Sequence, residues 1–407
     1  MELWIPYGET EIPIRVPDDN FYKFLEPKKP ASTIAVSKKI ENSLSNPLND
    51  FALSSLVKPG SVAGVLVDPI IPSTVLKQAV ESIRAKLSSL GVSEIRLFSR
   101  RRTSNVSQSV SDQPGFKTFD PRDDTFTELG KTSQGTNVSL ETELLACDVK
   151  ISLGMVTPHF ASGFTGGPDI LLPGASSLDT IAKNRSLMTK GILGPGETGE
   201  NLVLSDALEA YKMSGPFYSL TFVPDGWGGI DAVISGELEA VFREATARYL
   251  QVHKVNIDRK SDVVVIAAGS LLGMDLYHGV RILSNAFGAV RKEGTIILVA
   301  ECSKGIGDQG FLEFSRRFAE KKELVAELRH RFKLGSHVSL FLFDALEKYR
   351  IQLVSVLPDL YARDSFKLKP SRTASSAIQQ SIRVEGKEAK ILIVTRGDLT
   401  IPVVTPT

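Results

Sequence analysis

Residues 61–69 read SVAGVLVDP, and this stretch decides the fold. Val62–Val67 is a near-continuous apolar run, the pattern of a strand buried on both faces of a sheet. Asp68-Pro69 ends it, because proline removes a ladder donor and aspartate favours a turn. Ser73–Leu90 then carries apolar residues at helical spacing, and Glu94–Phe98 returns to a strand pattern. Strand, helix, strand in this order predicts an α/β protein with a parallel sheet.

Outward from this unit, residues 1–17 alternate polar and apolar and predict an opening β-hairpin. Ser104–Gln134 is rich in Ser, Asp and Thr and is expected to be loop. Asp148–Leu153 reads as another buried strand, and helices are expected over Ser176–Asn184, Asn201–Lys212 and Glu237–Tyr249. A second α/β unit follows. Its expected strands are Val263–Ala268, Thr295–Ala300, Gln352–Val356 and Ile391–Val394, and its expected helices Tyr277–Phe287, Gly310–Ala319 and Val338–Tyr349. The polar stretch HKVNIDRKSD, residues 253–262, separates the two. The reading is therefore two α/β domains, residues 1–255 and 256–407, with parallel or mixed sheets flanked by helices and an active-site cleft between them.

The bulk numbers exclude several classes. The 407 residues suit two or three domains, and 42% hydrophobic content is enough for real cores. A net charge of +1 gives no field that would select nucleic acid or a membrane surface. Cys147 and Cys302 lie far apart without CxxC spacing, which argues against a disulfide framework or a zinc site and fits a reducing cytoplasm. The opening MELWIPYGETEIPI lacks a basic region followed by an apolar run, and no apolar stretch approaches the roughly 20 residues of a spanning helix. The expected partner is a small anionic substrate, and the expected assembly, if one forms, is a homodimer.

In an open parallel sheet, ligands bind beyond the carboxyl ends of the strands. Asp68, the run Arg100–Arg102 and His159 occupy such ends. Asp68 could equally cap a turn, and the arginines could equally be solvated. His159 precedes Gly163, Gly166 and Gly167, and glycines crowd where a backbone turns tightly or approaches a ligand. A histidine there is a candidate acid/base. Ser176 or Ser177 could cap the next helix, whose N-terminus would suit an anion. In AAGSLLGMDLYHGVRILSNA, Tyr277 and Arg281 share a helix face and, with His278, could hold a carboxylate. His337 opens another helix, and His253 and His330 read as surface residues.

The order of these segments resembles the nickel-dependent lactate racemase family. WIPYGETEIPIRVPD, VLVDP, PHFASGFTGGPDILLPGASSLDTIAKN, AAGSLLGMDLYHGVRILSNA, GTIILVAECSKGIGD, LGSHVSLFLFDALEKYRIQLVSVLP and ILIVTRGDLTIPVV carry the resemblance across nearly the whole chain. It implies an isomerase that interconverts the enantiomers of a 2-hydroxy acid. It also implies a nickel-pincer nucleotide as cofactor, with histidines deprotonating the substrate hydroxyl while hydride moves to the cofactor.

The residue-by-residue carry-over is mixed. His159 falls on one of the family's two acid/base histidines, and Asp68 and Tyr277 match positions at its site. Arg102 falls on the other acid/base histidine. Gly166 and Gly167 match the cofactor loop, but Asp169 falls on the lysine that tethers the cofactor and Arg185 on the nickel-binding histidine. His278 and Arg281 replace a substrate-contacting glutamine and lysine, and Ile71 a substrate-recognition arginine. An aspartate cannot form the lysine's link, and a guanidinium that stays protonated is a poor ligand and a poor base. The expected roles are His159, Asp68 and Arg102 for catalysis, Tyr277, His278 and Arg281 for substrate, and Gly166, Gly167, Asp169 and Arg185 toward a cofactor, with no metal ligand. Arginine in place of two histidines and a lysine points to a more anionic ligand than lactate. The alternative is a non-catalytic protein that binds an anion or nucleotide.

Overall fold

The computed structural model describes residues 1–28, 34–100, 116–122, 125–192, 201–330 and 332–405, the side chain of residue 271 excepted. Two six-stranded sheets organise the chain. The first runs in the order Ile230–Glu237, Tyr218–Pro224, Val149–Met155, Val62–Val67, Glu94–Arg100 and Phe116–Phe119. All its neighbours are parallel except the first pair, Ile230–Glu237 on Tyr218–Pro224. The second sheet is parallel throughout, in the order Lys369–Ser371, Arg350–Val354, Val290–Val299, Ser261–Ala267, Ile391–Val394 and Phe21–Leu25.

Each sheet reverses its winding at its first central strand. Val62–Val67 is followed in sequence by Glu94–Arg100 on one side, and Val149–Met155 then arrives on the other. Ser261–Ala267 has Val290–Val299 on one side and Ile391–Val394 on the other. Chains leaving two such neighbours diverge to opposite faces and open a crevice at their carboxyl ends. Asp68 and the segment after Met155 sit at the first crevice, and the segments after Ala267 and Val394 at the second.

The helix Ser73–Ser89 covers the first sheet because Val75, Leu76, Ala79, Val80, Ile83 and Leu87 fall on one stripe and are buried. They meet Ala63, Val65, Ile151 and Leu220 in one core. A separate core under the second sheet joins Val264, Ile266, Ile296 and Leu298 to Phe341, Phe311 and Leu283. No described helix is long and apolar enough to cross a membrane.

The structure departs from the sequence reading at several places. The hairpin Glu2–Tyr7/Thr10–Arg15 and the edge strand Phe21–Leu25 belong to the second sheet and its core, so a single cut at residue 255 does not describe the packing. Conversely, Ile401–Val404 pairs with Lys254–Ile257, and Leu399 and Ile401 pack with Phe242 and Tyr249 of the first domain. Within Ser104–Gln134, expected to be loop, Phe116–Phe119 is an edge strand and Phe126–Lys131 pairs with Asn137–Glu141. Pairing partners, not local composition, decide such short polar strands. The helix expected over Tyr277–Phe287 breaks into Leu276–Arg281 and Leu283–Ala286. The helices Lys321–His330 and Ala374–Glu385 were not anticipated. His253, expected at the surface, is 1% exposed: it stacks on Tyr249 and bonds Pro224 O through Nε2 at 2.8 Å.

Candidate active site between the domains

The crevices of the two sheets face each other across a cleft of about 480 Å³. The first domain contributes Asp68, Arg100, His159, Asp169 and Arg185, and the second contributes Tyr277, His278, Arg281, His337 and Arg396. Of the residues expected to share one cleft, Asp68, His159, Tyr277 and Arg281 line it, as do His278, Asp169 and Arg185. Arg102 lies outside the described residues.

His159 sits on a two-residue strand, Pro158–His159, paired with Gly163–Phe164. The amides of Ala161 and Ser162 donate to its Nδ1 at 3.2 and 3.3 Å. Two N–H donors define that nitrogen as an acceptor, so the neutral ring carries its proton on Nε2. Burial holds the His159 pKa well below the ordinary value, with Arg281, Arg185 and His337 acting in the same direction. Although the side chain keeps partial exposure, it lines the enclosed cleft, and desolvation there outweighs that opening. His159 is therefore a neutral hydrogen-bond donor at neutral pH, rather than the ready base its position suggested.

The glycine loop is set by close approach. Gly166 has φ +80°, and a Cβ there would meet the carbonyl carbon of Met155 at 2.7 Å. Gly167 donates its N–H to Asp169 Oδ1 at 2.9 Å. The Asp169 carboxyl is pushed up to about 7, first by burial and then by Asp68. Asp68 itself accepts from Ile70 N at 3.1 Å, the turn-forming alternative, and still lines the cleft. Ile71 faces the core instead.

The helix Leu178–Ser186 is capped by Ser177, but its N-terminus is not the anion site expected of it. The N–H of Leu178 is spent on Pro121 O, and the helix presents Ile181 and Arg185 to the cleft. Arg185 is 4% exposed, and burial lowers its pKa to about 10, which leaves it a cation at neutral pH.

In the second domain, Asp275 caps the helix Leu276–Arg281 and accepts from His278 N at 2.8 Å. The same carboxylate takes the His278 Nδ1–H at 2.7 and 2.8 Å to its two oxygens. Asp275 is fixed under Gly307, where a Cβ would come within 2.5 Å of it. This pair fixes the tautomer opposite to that of His159: Nδ1 holds the proton and Nε2 is the basic nitrogen. Tyr277 OH stands 3.5 Å from His337 Nε2, and Phe160 stacks on His337 with centroids 6.2 Å apart. Arg281 lies over the Phe160 ring at 5.8 Å. His337 is buried, its Nδ1 has no hydrogen-bond partner among the described residues, and burial, Arg185, Arg281 and Arg100 together hold it neutral.

Sequence reasoning missed Asp275 and His337 as members of the site. The spacing Asp275-x-x-His278 at a helix start was the signal for the first. A histidine inside the apolar run LGSHVSLFLF was the signal for the second.

Comparison with known proteins adds the family. Residues 7–99 and 104–192 match the model of the lactate racemase N-terminal domain, and residues 256–402 that of the lactate racemase C-terminal domain. Curated lactate racemases from Thermoanaerobacterium thermosaccharolyticum and Lactiplantibacillus plantarum are 22% and 20% identical, over 97% of this chain and of each relative. The lactate racemase apoprotein structure from T. thermosaccharolyticum superposes with a TM-score of 0.85 at 20% identity, covering 99% of this chain and 100% of that one. A Thermotoga maritima protein superposes with a TM-score of 0.68 at 16% identity, covering 93% and 100%.

Proposed function

Because the chain belongs to the lactate racemase family, we propose that it is an isomerase inverting C2 of an anionic 2-hydroxy acid in the cleft between its domains. One observation carries the reading. The two domains bring into one cleft a carboxyl whose pKa burial pushes up and a histidine whose Nε2 is left as the acceptor by an aspartate on its Nδ1, a pairing that can divide acid and base roles. Asp169, near pH 7, is partly a proton-bearing acid. His278, oriented by Asp275, offers Nε2 as a base.

The family's nickel-pincer nucleotide does not fit these residues. Asp169 carries no amine to tether it, and Arg185 offers a guanidinium where a ligand is needed. Among the described residues no group of three or more His, Cys, Asp or Glu could hold a metal ion. The reaction is therefore derived from the side chains alone. His278 Nε2 accepts the C2 proton, and the bonding pair moves into the carboxylate as an enediolate. Asp169 returns its own proton to the opposite face of C2, and both groups then re-equilibrate with solvent. The C2 proton is weakly acidic, so stabilising the extra charge is the largest demand on the site. Arg281 and Tyr277 hold the carboxylate, and His159 donates Nε2–H to a substrate oxygen.

The test is incubation of single enantiomers of lactate, malate and 3-phosphoglycerate in D2O, followed by chiral chromatography and mass spectrometry. The expected result is loss of enantiomeric excess with one deuterium at C2 of the inverted product. His278→Gln should lower the rate about 10²–10⁴-fold. Inversion without deuterium uptake would overturn the proton-transfer route. Ligand binding with no inversion would overturn the isomerase and favour a non-catalytic anion-binding protein.

A further inference from the structure

Beyond Arg281, the site holds in Arg185 a buried guanidinium that a hydroxy monocarboxylate does not need, and its setting is built. Asp206 is fully buried and accepts from Thr132 Oγ1 at 2.5 Å, Thr136 Oγ1 at 2.9 Å and Asn184 Nδ2 at 2.8 Å. Asn184 Nδ2 also donates to Val203 O at 3.0 Å. With both amide protons so committed, Asn184 Oδ1 is the acceptor that remains, and Arg185 Nη1 donates to it at 3.0 Å. The network fixes Arg185 against the cleft wall while using one of its five N–H donors.

A buried cation is costly unless an anion meets it. The carboxyl that most offsets Arg185 is Asp169, which is already tied to Gly167 N–H and is partly protonated near neutral pH. Arg281 approaches from the other domain over Phe160 and, with Tyr277, accounts for one carboxylate. Arg185 stands on the first domain's wall with no substrate group assigned to it.

We propose that Arg185 forms a subsite for a second anionic group, so that the substrate is a dianionic 2-hydroxy acid, either a dicarboxylate or a phosphomonoester, gripped by one arginine from each domain. This rests on the inter-domain cleft being the substrate site, but it concerns binding and does not require turnover. A planar guanidinium fork suits either oxyanion.

Calorimetric titration of the full chain with lactate, malate and 3-phosphoglycerate tests it, on wild type, Arg185→Met and Arg185→Lys. The wild type should bind at least one dianion about tenfold or more tighter than lactate, and the tighter of malate and 3-phosphoglycerate identifies the second group. Arg185→Met should erase the preference and leave lactate affinity within about threefold. Arg185→Lys, which keeps the charge and loses the fork, should retain part of it. Thermal unfolding confirms that the variants are folded, and Arg185→Lys carries the test if Arg185→Met is not. Equal affinity for lactate and both dianions would overturn the proposal, as would a preference that survives Arg185→Met, or equal weakening of lactate and dianion in it. Dianion preference without inversion would leave this inference standing while the isomerase fell. Inversion of lactate without any dianion preference would do the reverse.

Discussion

Asp169 shows how one side chain ties chemistry to stability. Its carboxyl titrates near 7 in the fold and near 3.8 in an unfolded chain. Between those values the folded state holds a proton that the unfolded state has released. Stability from this group is therefore full below about pH 4 and is lost as pH rises toward 7. Asp169→Asn removes the titration, and its amide oxygen can still accept from Gly167. The variant should match wild type near pH 4 and exceed it above pH 7 by roughly 1–3 kcal/mol, allowing for partial exposure of the side chain. Denaturant unfolding at pH 4.5 and 8.5 checks this, and a difference independent of pH would refute it. The residue scale is also where the sequence was least legible. Asp68 and His159 could be placed at strand ends, but the tautomers of His159 and His278 depend on Ala161 N–H, Ser162 N–H and Asp275, which only folding brings into register. Arg185 lies on a short helix of polar average composition, where nothing local says that it turns inward.

At the scale of elements, the loop between Met155 and the helix Leu178–Ser186 carries the site. Its glycines serve backbone approach: Gly166 lies against the end of the strand Val149–Met155, and Gly154 in that strand lies against Gly166. Gly166→Ala adds left-handed strain and a backbone clash, so it should cost about 2–4 kcal/mol and disturb His159 and Asp169 together. Gly60→Ala is the control. Its φ is +85°, but no atom lies within 4 Å of the added Cβ, so only about 1 kcal/mol of strain is expected. Thermal denaturation of both variants separates the terms, and equal losses would contradict the close-approach explanation. The core strands Val62–Val67 and Ile391–Val394 were read from sequence to the residue because apolar runs that short and continuous have few alternatives. Phe116–Phe119 and Ile230–Glu237 were not, since edge strands take their definition from a neighbour.

The whole molecule is two six-stranded sheets, one mixed and one parallel, whose switch points oppose each other, with the chain's ends exchanged between domains. Phe21–Leu25 joins the second sheet, Ile401–Val404 returns to the strand Lys254–Ile257, and Tyr249 OH donates to Leu399 O. Two α/β units in series were visible in the sequence, but this exchange was not, because it depends on pairing between segments hundreds of residues apart. Asp169 and Arg185 also set the chain apart from the cofactor chemistry that its family implies. Expression with the enzymes that build the nickel-pincer nucleotide, followed by intact-mass measurement, should give the unmodified chain. A stable adduct mapping to residues 163–190 would refute the misfit deduced from Asp169 and Arg185. If both domains grip one small dianion, a crystal structure with the tighter-binding of malate and 3-phosphoglycerate must show it between them. A single ligand is expected in the cleft, with nitrogens of both Arg185 and Arg281 at about 2.7–3.2 Å from its two anionic groups. A ligand held by one domain alone, or bound outside this cleft, would contradict it.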